Sequence, residues 1–290
     1  MNYIIYDLEW NQPPDELSVV TDPICLEGEI VELGAVKLNE QFQPVEEFRR
    51  FVKPEYYPKM HKRIASLTGI TDKILAEQGV SFPEMYESFT SWCGAEYTLM
   101  SWSMSDLPIL IDNLLLHGME VSRLPECCDI QRIFSREIMR GSTRYSLDTA
   151  LAILKEKGDT AHDALNDARN TAKVCSHLNL EEYIGEYAAK AFAEQPLPIT
   201  YETRQQLRED EALRRFACPW CGETVTCEPW IPNMGNTLLG YGVCPQEDEF
   251  LMELTSSHRP DGRFSARRIL YEMSDDLWDI YMDKKEPVGV

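Results

Sequence analysis

Apolar positions in the first fifty residues alternate with polar ones in the way that is typical of β-strands. Residues 3–6 form a short apolar run, residues 29–38 alternate over ten positions, and residues 47–53 end at Pro54. Short runs of this kind, bounded by turn residues, indicate strands. The pattern therefore predicts three consecutive strands that pair as a meander.

From Lys59 onward the apolar residues recur at spacings of three and four, which indicates helices. The pattern predicts helices over 71–78, 82–93, 106–117, 146–155 and 163–178, and strands over 97–103 and 128–134. Strands come first and then alternate with helices. This order predicts an α/β fold, with a mixed β-sheet flanked by helices.

The last third of the chain changes character twice. A helical pattern continues from about 180 to 193, Pro196 and Pro198 interrupt it, and the polar segment 201–215 is typical of a connecting helix. From Phe216 the chain carries paired cysteines, turn residues and short β-prone pieces. We therefore predict a first domain over 1–195, a helical linker over 196–215, and a small β-rich cysteine module over 216–290.

Composition and charge narrow the functional classes. The chain has 290 residues, with 49 Asp and Glu against 28 Lys and Arg, for a formal net charge of −21. Such a molecule repels polyanions at long range, which argues against a protein that coats DNA. Divalent cations bound by carboxylates would reverse that sign locally. No stretch has the ~18 apolar residues of a membrane helix or the layout of a signal peptide, so we expect a cytoplasmic protein without a membrane partner.

Five residues stand out as candidates for chemistry. Asp7 and Glu9 follow the first apolar run, and residues two apart on a strand share a face, where two carboxylates repel unless a cation lies between them. Taken alone, the pair is more typical of an exposed strand end. Asp106 begins an apolar helix, where a helix cap is its ordinary role. His162 and Asp167 begin another helix.

In combination these residues resemble a known family. Asp7-x-Glu9, then Asp106, then His162-x-Ala-x-x-Asp167 resembles the DEDDh branch of the DnaQ-like 3′-to-5′ exonucleases. The match is closest to the Eri-like and KapD-like bacterial members, which share the Asp-Ala-Arg-Asn run found here at 167–170. The resemblance covers residues 1–180 and implies a ribonuclease H-like fold. The sibling branch carries Tyr four residues before the last Asp, where this chain has Asp163. His162, one residue earlier, indicates the histidine branch.

The resemblance also implies an activity, which is metal-dependent hydrolysis of single-stranded RNA or short DNA from the 3′ end by a two-metal-ion mechanism. By this resemblance Asp7 bridges two Mg²⁺ or Mn²⁺ ions, Glu9 and Asp167 bind the ion that activates water, and Asp106 acts largely through ordered water. His162 is implied as the general base. Hard divalent ions prefer such oxygen ligands.

Three residues beside the first motif are candidates for holding the substrate. In the family the terminal nucleotide lies next to the Asp-x-Glu motif, where this chain has Leu8, Trp10 and Asn11. An aromatic ring such as that of Trp10 can stack on a base, a contact worth roughly 1–3 kcal/mol in single-strand binders. We expect single-stranded nucleic acid as the partner, with a slight preference for RNA because of the Eri-like run.

The cysteines of the last segment indicate a second metal. Cys218-Pro-Trp-Cys221-Gly is a knuckle of the kind that presents two thiolates to zinc, and Cys244-Pro resembles half of another. The fourth ligand is predicted to be Cys227 or Glu247. The segment resembles a zinc-ribbon-like C-terminal extension of some KapD-like exonucleases. Reduced structural cysteines without metal are the alternative.

Two other functions are compatible with the same residues. A KapD-like regulator could use the exonuclease fold as a catalytically weak module that binds proteins. A polymerase proofreading subunit is a third possibility. The complete set of four carboxylates and one histidine favours the exonuclease, because a module that only binds proteins has no need of them.

Overall fold

The computed structural model describes residues 1–121, 124–193, 197 and 199–285. These fall into two compact units. The first comprises Met1–Pro14, Leu26–Met119 and Pro125–Ala188; the second comprises Asp15–Cys25, Glu120–Leu124 and the chain from Ala189 onward. The predicted domain boundary at 195, with Pro196 and Pro198, lies outside the described residues, so the division into domain, linker and module stays a prediction.

The first unit is a mixed sheet covered by helices. Its elements are β1 (Asn2–Asn11), β2 (Glu29–Leu38), β3 (Pro44–Phe51), α1 (Lys62–Thr68), α2 (Asp72–Gln78), α3 (Phe82–Cys93), β4 (Tyr97–Ser101), α4 (Asp106–Leu116), β5 (Glu126–Asp129), α5 (Ile130–Glu137), α6 (Leu147–Leu154), α7 (Ala164–Cys175) and α8 (Leu180–Tyr187). The strands lie in the order β3-β2-β1-β4-β5. β1 pairs antiparallel with β2 and parallel with β4.

Local sequence explains where these helices start and how they meet the sheet. Thr71, Ser81 and Ser146 each accept a hydrogen bond from a backbone N–H of the first turn of α2, α3 and α6, as N-cap residues do. All ten residues of β2 are buried, because the strand lies inside the sheet with helices against it. One buried cluster joins residues of β1 and β2 to apolar side chains of α5, α7 and α8.

The second unit is mainly antiparallel sheet. Its elements are β6 (Ala188–Ala193), α9 (Arg204–Glu209), β7 (Arg215–Ala217), β8 (Thr224–Thr226), β9 (Ile231–Pro232), β10 (Thr237–Val243), β11 (Glu249–His258), β12 (Phe264–Glu272) and α10 (Asp275–Lys285). Five strands lie in the order β6-β12-β11-β10-β9, while β7 and β8 form a separate hairpin. No helix among the described residues is long and apolar enough to span a membrane.

The predicted fold class is confirmed, and three elements differ from the sequence prediction. The strand predicted over 128–134 is wrong, because β5 ends at Asp129, whose side chain caps helix α5 by accepting from Arg132 N at 3.1 Å. The helix predicted to reach 193 stops at Tyr187, and the remainder is strand β6, which pairs with β12. The helix predicted over 201–215 is limited to α9 and a 3-10 turn at Glu211–Arg214.

Candidate active site

Strand β1 brings the first two carboxylates into the middle of the sheet. Asp7 lies opposite Gly34 of β2, and Glu9 lies opposite Glu32, just before a bulge that follows Glu9. Gly34 is required here, since a Cβ at this position would collide with the backbone of Ala164 and Leu165 at the start of α7. The missing side chain lets helix α7 lie directly on the strand that pairs with Asp7.

The first turn of α7 places His162 and Asp167. Asp163 is the N-cap residue, and its Oδ1 accepts a hydrogen bond from Asn166 N at 3.0 Å. His162 has a left-handed backbone conformation, with φ of 63°, and its N–H donates to Asp167 Oδ2 at 2.8 Å. Glu9, His162 and Asp167 each offer a ligand atom within 4.8 Å of those of the other two. The structure therefore brings together three of the five predicted catalytic residues.

Asp106 and Asp7 belong to the same electrostatic neighbourhood. Asp106 is the first residue of α4 and is buried. Its pKa rises to about 7 because of burial, although a hydrogen bond from the Leu8 backbone N–H acts in the other direction. Burial, followed by the charges of Asp106 and Asp167, raises the pKa of Asp7 well above its usual value.

Glu9 and Asp167 show the same effect. The pKa of Glu9 rises to about 8, through burial and then the charges of Glu32 and Asp167. Burial also raises the pKa of Asp167, against the hydrogen bond that it accepts from His162. Carboxylates that repel one another at this closeness are stabilised by a cation between them. The donor set, four carboxylates with oxygen ligands only, fits hard divalent ions.

An ion pair between buried Glu32 and Arg49 lies beside the start of α7. The Glu32 side chain is 1% exposed, and Arg49 Nε lies 2.6 Å from its Oε1. Arg49 Nη2 also donates to Asp163 Oδ2 at 2.7 Å. Burial raises the pKa of Glu32 to about 7, while Arg49 and the Ala164 backbone act in the other direction. Sequence reasoning missed Glu32 and Arg49, because neither belongs to a motif and only the sheet register brings them next to the helix cap.

Comparison with known proteins shows which family the chain belongs to. The family model described as exonuclease matches residues 18–175, more than half of the chain. The chain belongs to the exonuclease family. The matched range contains Asp106, His162 and Asp167 and begins after Asp7 and Glu9, which β1 brings to the same site. The family recognition made from the sequence is confirmed, and exonucleases of this family use divalent metal ions.

Relatives agree with this assignment. The exonuclease is 26% identical over 211 residues to the probable 3′-5′ exonuclease KapD of Bacillus subtilis (strain 168), which covers 71% of this chain and 94% of KapD. Its structure is similar to cell-death related nuclease 4, with a TM-score of 0.53 and 20% identity over 68% of this chain and 72% of that one. It is also similar to the nuclease domain of 3′hExo, a DEDDh family member bound to rAMP, with a TM-score of 0.51 and 21% identity over 63% and 92%. These likenesses confirm the ribonuclease H-like fold.

The predicted substrate residues differ in what the structure leaves available. The Leu8 side chain is 2% exposed and lies in the core of the exonuclease. Asn11 is fully buried; its Nδ2 donates to the carbonyls of Tyr57 and Lys59, and its Oδ1 accepts from His61 N. Asn11 thereby anchors the loop at 57–61 to β1. Contact of Leu8 or Asn11 with a nucleotide stays a prediction.

Trp10 alone among the three predicted substrate residues keeps an accessible side chain. Its indole packs over Gly28, where a Cβ would lie 2.9 Å from Cγ of the ring, and it is partly exposed. The ring follows Glu9 directly along β1. Stacking of Trp10 on a terminal base therefore stays a prediction.

The second unit brings the three cysteines that were predicted as zinc ligands close together. Cys218, Cys221, Cys244 and Asp248 each offer a ligand atom within 4.8 Å of the others. Neither Cys227 nor Glu247, the predicted candidates for a fourth ligand, belongs to this group. Asp248 is the fourth member of the group. It escaped sequence reasoning because the expected knuckle spacing points to the residue before it.

Proposed function

We propose that this exonuclease removes nucleotides from the 3′ ends of single-stranded RNA or short DNA by two-metal-ion hydrolysis. The observation that carries the proposal is the meeting of Glu9, His162 and Asp167 within 4.8 Å, in the electrostatic field of Asp7 and Asp106. Its similarity to KapD supports the 3′-to-5′ direction. The family resemblance gives Asp7, Glu9, Asp106 and Asp167 as the residues that would hold Mg²⁺ or Mn²⁺.

Each protein group has a defined task in this proposal. Two divalent ions, when bound, would stabilise both the attacking and the leaving oxygen of the phosphodiester. His162 takes the proton of the attacking water, because its ring lies beside Glu9 and Asp167 and is exposed, so that the proton can pass on to solvent. The hydrogen bond from His162 N to Asp167 keeps base and carboxylate in fixed relation.

The choice of nucleic acid rests on weaker support and is part of the proposal. The 3′hExo nuclease domain, similar in structure, was crystallised with rAMP, and another similar 3′-exonuclease was solved with a histone mRNA stem-loop. The Asp-Ala-Arg-Asn run at 167–170 likewise favours RNA. The net charge of −21 favours short or single-stranded substrates that contact only the site and not an extended surface.

The test uses end-labelled oligonucleotides of matched RNA and DNA sequence with Mn²⁺, Mg²⁺ or chelator. We expect 5′-labelled strands to shorten progressively and 3′-labelled strands to release the label as a mononucleotide at once. A 3′-terminal phosphate should slow the reaction. Internal cuts with both ends intact, or shortening from the 5′ end, would contradict the proposal, and faster hydrolysis of DNA would contradict the RNA preference alone.

A further inference from the structure

Two hairpin turns of the second unit face each other with four ligand-type side chains. The turn between β7 and β8 carries Cys218 and Cys221, and the turn between β10 and β11 carries Cys244 and Asp248. Cys244 Sγ lies 3.1 Å from Asp248 Oδ2, and Cys218 Sγ lies 3.7 Å from the same oxygen. Strands β8, β9 and β10 separate the two turns along the chain, so chain proximity alone does not explain why the two pairs meet.

These spacings match those of ligands around one tetrahedral ion. Zn–S bonds of about 2.3 Å and Zn–O bonds of about 2.0 Å place a sulfur and an oxygen of one tetrahedron roughly 3.5 Å apart. The two sulfur–oxygen distances, 3.1 and 3.7 Å, lie on either side of this value. Cys218 and Cys244 are buried, whereas Cys221 is exposed, which leaves one side of the group open for an ion to enter.

The second turn explains why Asp248 and not Glu247 completes the group. In the first turn the N–H of Gly222 donates to the carbonyl of Cys218, and Gly222, four positions after that cysteine, has a positive φ. In the second turn the N–H of Glu247 donates to the carbonyl of Cys244, and Glu247, which has the positive φ, comes only three positions after its cysteine. The second turn is therefore one residue shorter. Glu247 occupies the turn position with positive φ and is exposed. The next residue, Asp248, lies in the ligand group.

The other predicted candidate, Cys227, has a packing role. Its side chain is buried among the apolar residues beneath β10, in a cluster with Phe216, Val225 and Phe250. A Cβ on Gly242 would lie 2.9 Å from Val225 Cγ1 and 3.2 Å from Cys227 Sγ, so the glycine lets β10 pass close to these two side chains. The Cys227 thiol thus fills space in the core, and its sulfur is not among the atoms of the ligand group.

We propose that Cys218, Cys221, Cys244 and Asp248 form a structural Zn²⁺ site of three thiolates and one carboxylate. Thiolates select zinc over the hard ions that suit the four catalytic carboxylates. The ion would join the tip of the β7–β8 hairpin to the tip of the β10–β11 hairpin. β7 and β8 have only three residues each, too few to hold such a hairpin by backbone bonds alone.

The first experiment measures zinc in the purified full-length protein, kept reduced throughout. We expect one zinc per chain by elemental analysis. Substitution of Co²⁺ should give the visible spectrum of tetrahedral cobalt with thiolate ligands. Absence of zinc together with failure to take up Co²⁺, or a Cys218–Cys221 disulfide in the reduced preparation, would overturn the proposal.

A matched pair of neighbouring acids identifies the fourth ligand. Asp248→Asn keeps the shape of the side chain and removes its charge, and we expect zinc affinity to fall by more than the ~10–100-fold that is typical for loss of an outer partner. Glu247→Gln is the control and should leave the affinity unchanged. Loss of affinity in Glu247→Gln with retention in Asp248→Asn would assign the ligand to Glu247 and overturn the role of Asp248.

Hydrogen exchange tests whether the ion stabilises the two hairpins. It uses the wild-type protein with and without zinc, so it does not depend on the folding of any variant. Removal of zinc from the wild-type protein should speed exchange of the backbone amides at 215–226 and 243–249. Strands β11 and β12 should keep their protection, because nine residue pairs join them. Equal exchange with and without zinc at 215–226 would contradict a structural role.

Discussion

The carboxylate site and the cysteine group differ in what fixes their side chains. Asp7 and Glu9 lie on an inner strand, while Asp106 and Asp167 lie on two helices that pack against the sheet. The cysteines and Asp248 instead lie in two short turns. The first site therefore keeps its geometry through burial of the elements that carry it, whereas the second depends on a few backbone hydrogen bonds within the turns and on the packing of Cys218 and Cys244 in an apolar cluster.

The same difference appears in the electrostatics. Burial and mutual repulsion raise the pKa of Asp7 and bring that of Glu9 to about 8, so the folded protein holds charges in an unfavourable arrangement. A site of this kind is formed before its ions arrive and is stabilised by them. The comparison predicts that changes at the carboxylates alter catalysis with little effect on folding, and that changes at the cysteines have the reverse effect.

The largest expected effect is loss of hydrolysis in Asp7→Ala or Asp167→Ala. Metal-assisted charge stabilisation is worth several kcal/mol, and each 1.4 kcal/mol changes the rate about tenfold. We therefore expect a fall of at least about three orders of magnitude with Mn²⁺ and an oligonucleotide substrate. Glu87→Gln, an exposed acid on α3, is the control and should keep the wild-type rate. Near wild-type hydrolysis by either aspartate variant would disprove the metal-site assignment.

Substitution of His162 separates proton transfer from metal binding. His162→Ala should lower the rate by about 10²–10⁴, the range for removal of a general base. Mn²⁺ binding measured by calorimetry should persist, since the four carboxylates remain. If Mn²⁺ affinity collapses in His162→Ala, the histidine is a ligand and not the base.

Arg49 tests how firmly the sheet fixes the start of α7. Arg49→Met removes the partner of buried Glu32 and of the cap residue Asp163. Leaving a buried acceptor unpaired typically lowers stability by about 1–3 kcal/mol, and the 38% exposure of the Arg49 side chain favours the lower end. Chemical denaturation measures this loss. Adding Glu32→Gln should recover part of it, because the orphaned charge is then gone; no recovery would mean that Arg49 acts only through Asp163.

Sequence reasoning succeeded where chemistry is carried by spacing along one element. Asp7 and Glu9 share a strand, and His162 and Asp167 share a helix start, so their grouping follows from local geometry. It missed residues whose placement depends on strand register or on turn length. Glu32 and Arg49 reach the helix cap only through the pairing of β2 with β3, and Asp248 rather than Glu247 lies in the cysteine group because one turn is a residue shorter. The burial of the Leu8 and Asn11 side chains also could not be inferred from their position in a motif.

The pH dependence of stability should reveal the strain at the carboxylates. The pKa of Glu9 rises from 4.5 to about 8 and that of Asp106 from 3.8 to about 7, so the folded state binds protons that the unfolded state has released. Stability of the metal-free protein should therefore fall as pH rises from about 4 to 8. Thermal melting follows this fall, and saturating Mn²⁺, which binds the folded state, should reduce it. A melting temperature that climbs over this range without metal would contradict the assignment.

The smallest expected effect on hydrolysis is that of the cysteine pair. Cys218→Ser with Cys221→Ser removes two of the proposed zinc ligands, yet the five residues predicted to carry catalysis lie in the first unit and the β7–β8 hairpin lies in the second. We expect hydrolysis of a short oligonucleotide at the wild-type rate, together with loss of zinc and a lower melting temperature. The matched control is Cys175→Ser, a buried thiol of α7, which should keep its zinc. A double variant that is folded but inactive would show that the two regions depend on each other, and the contrast between them would then fail.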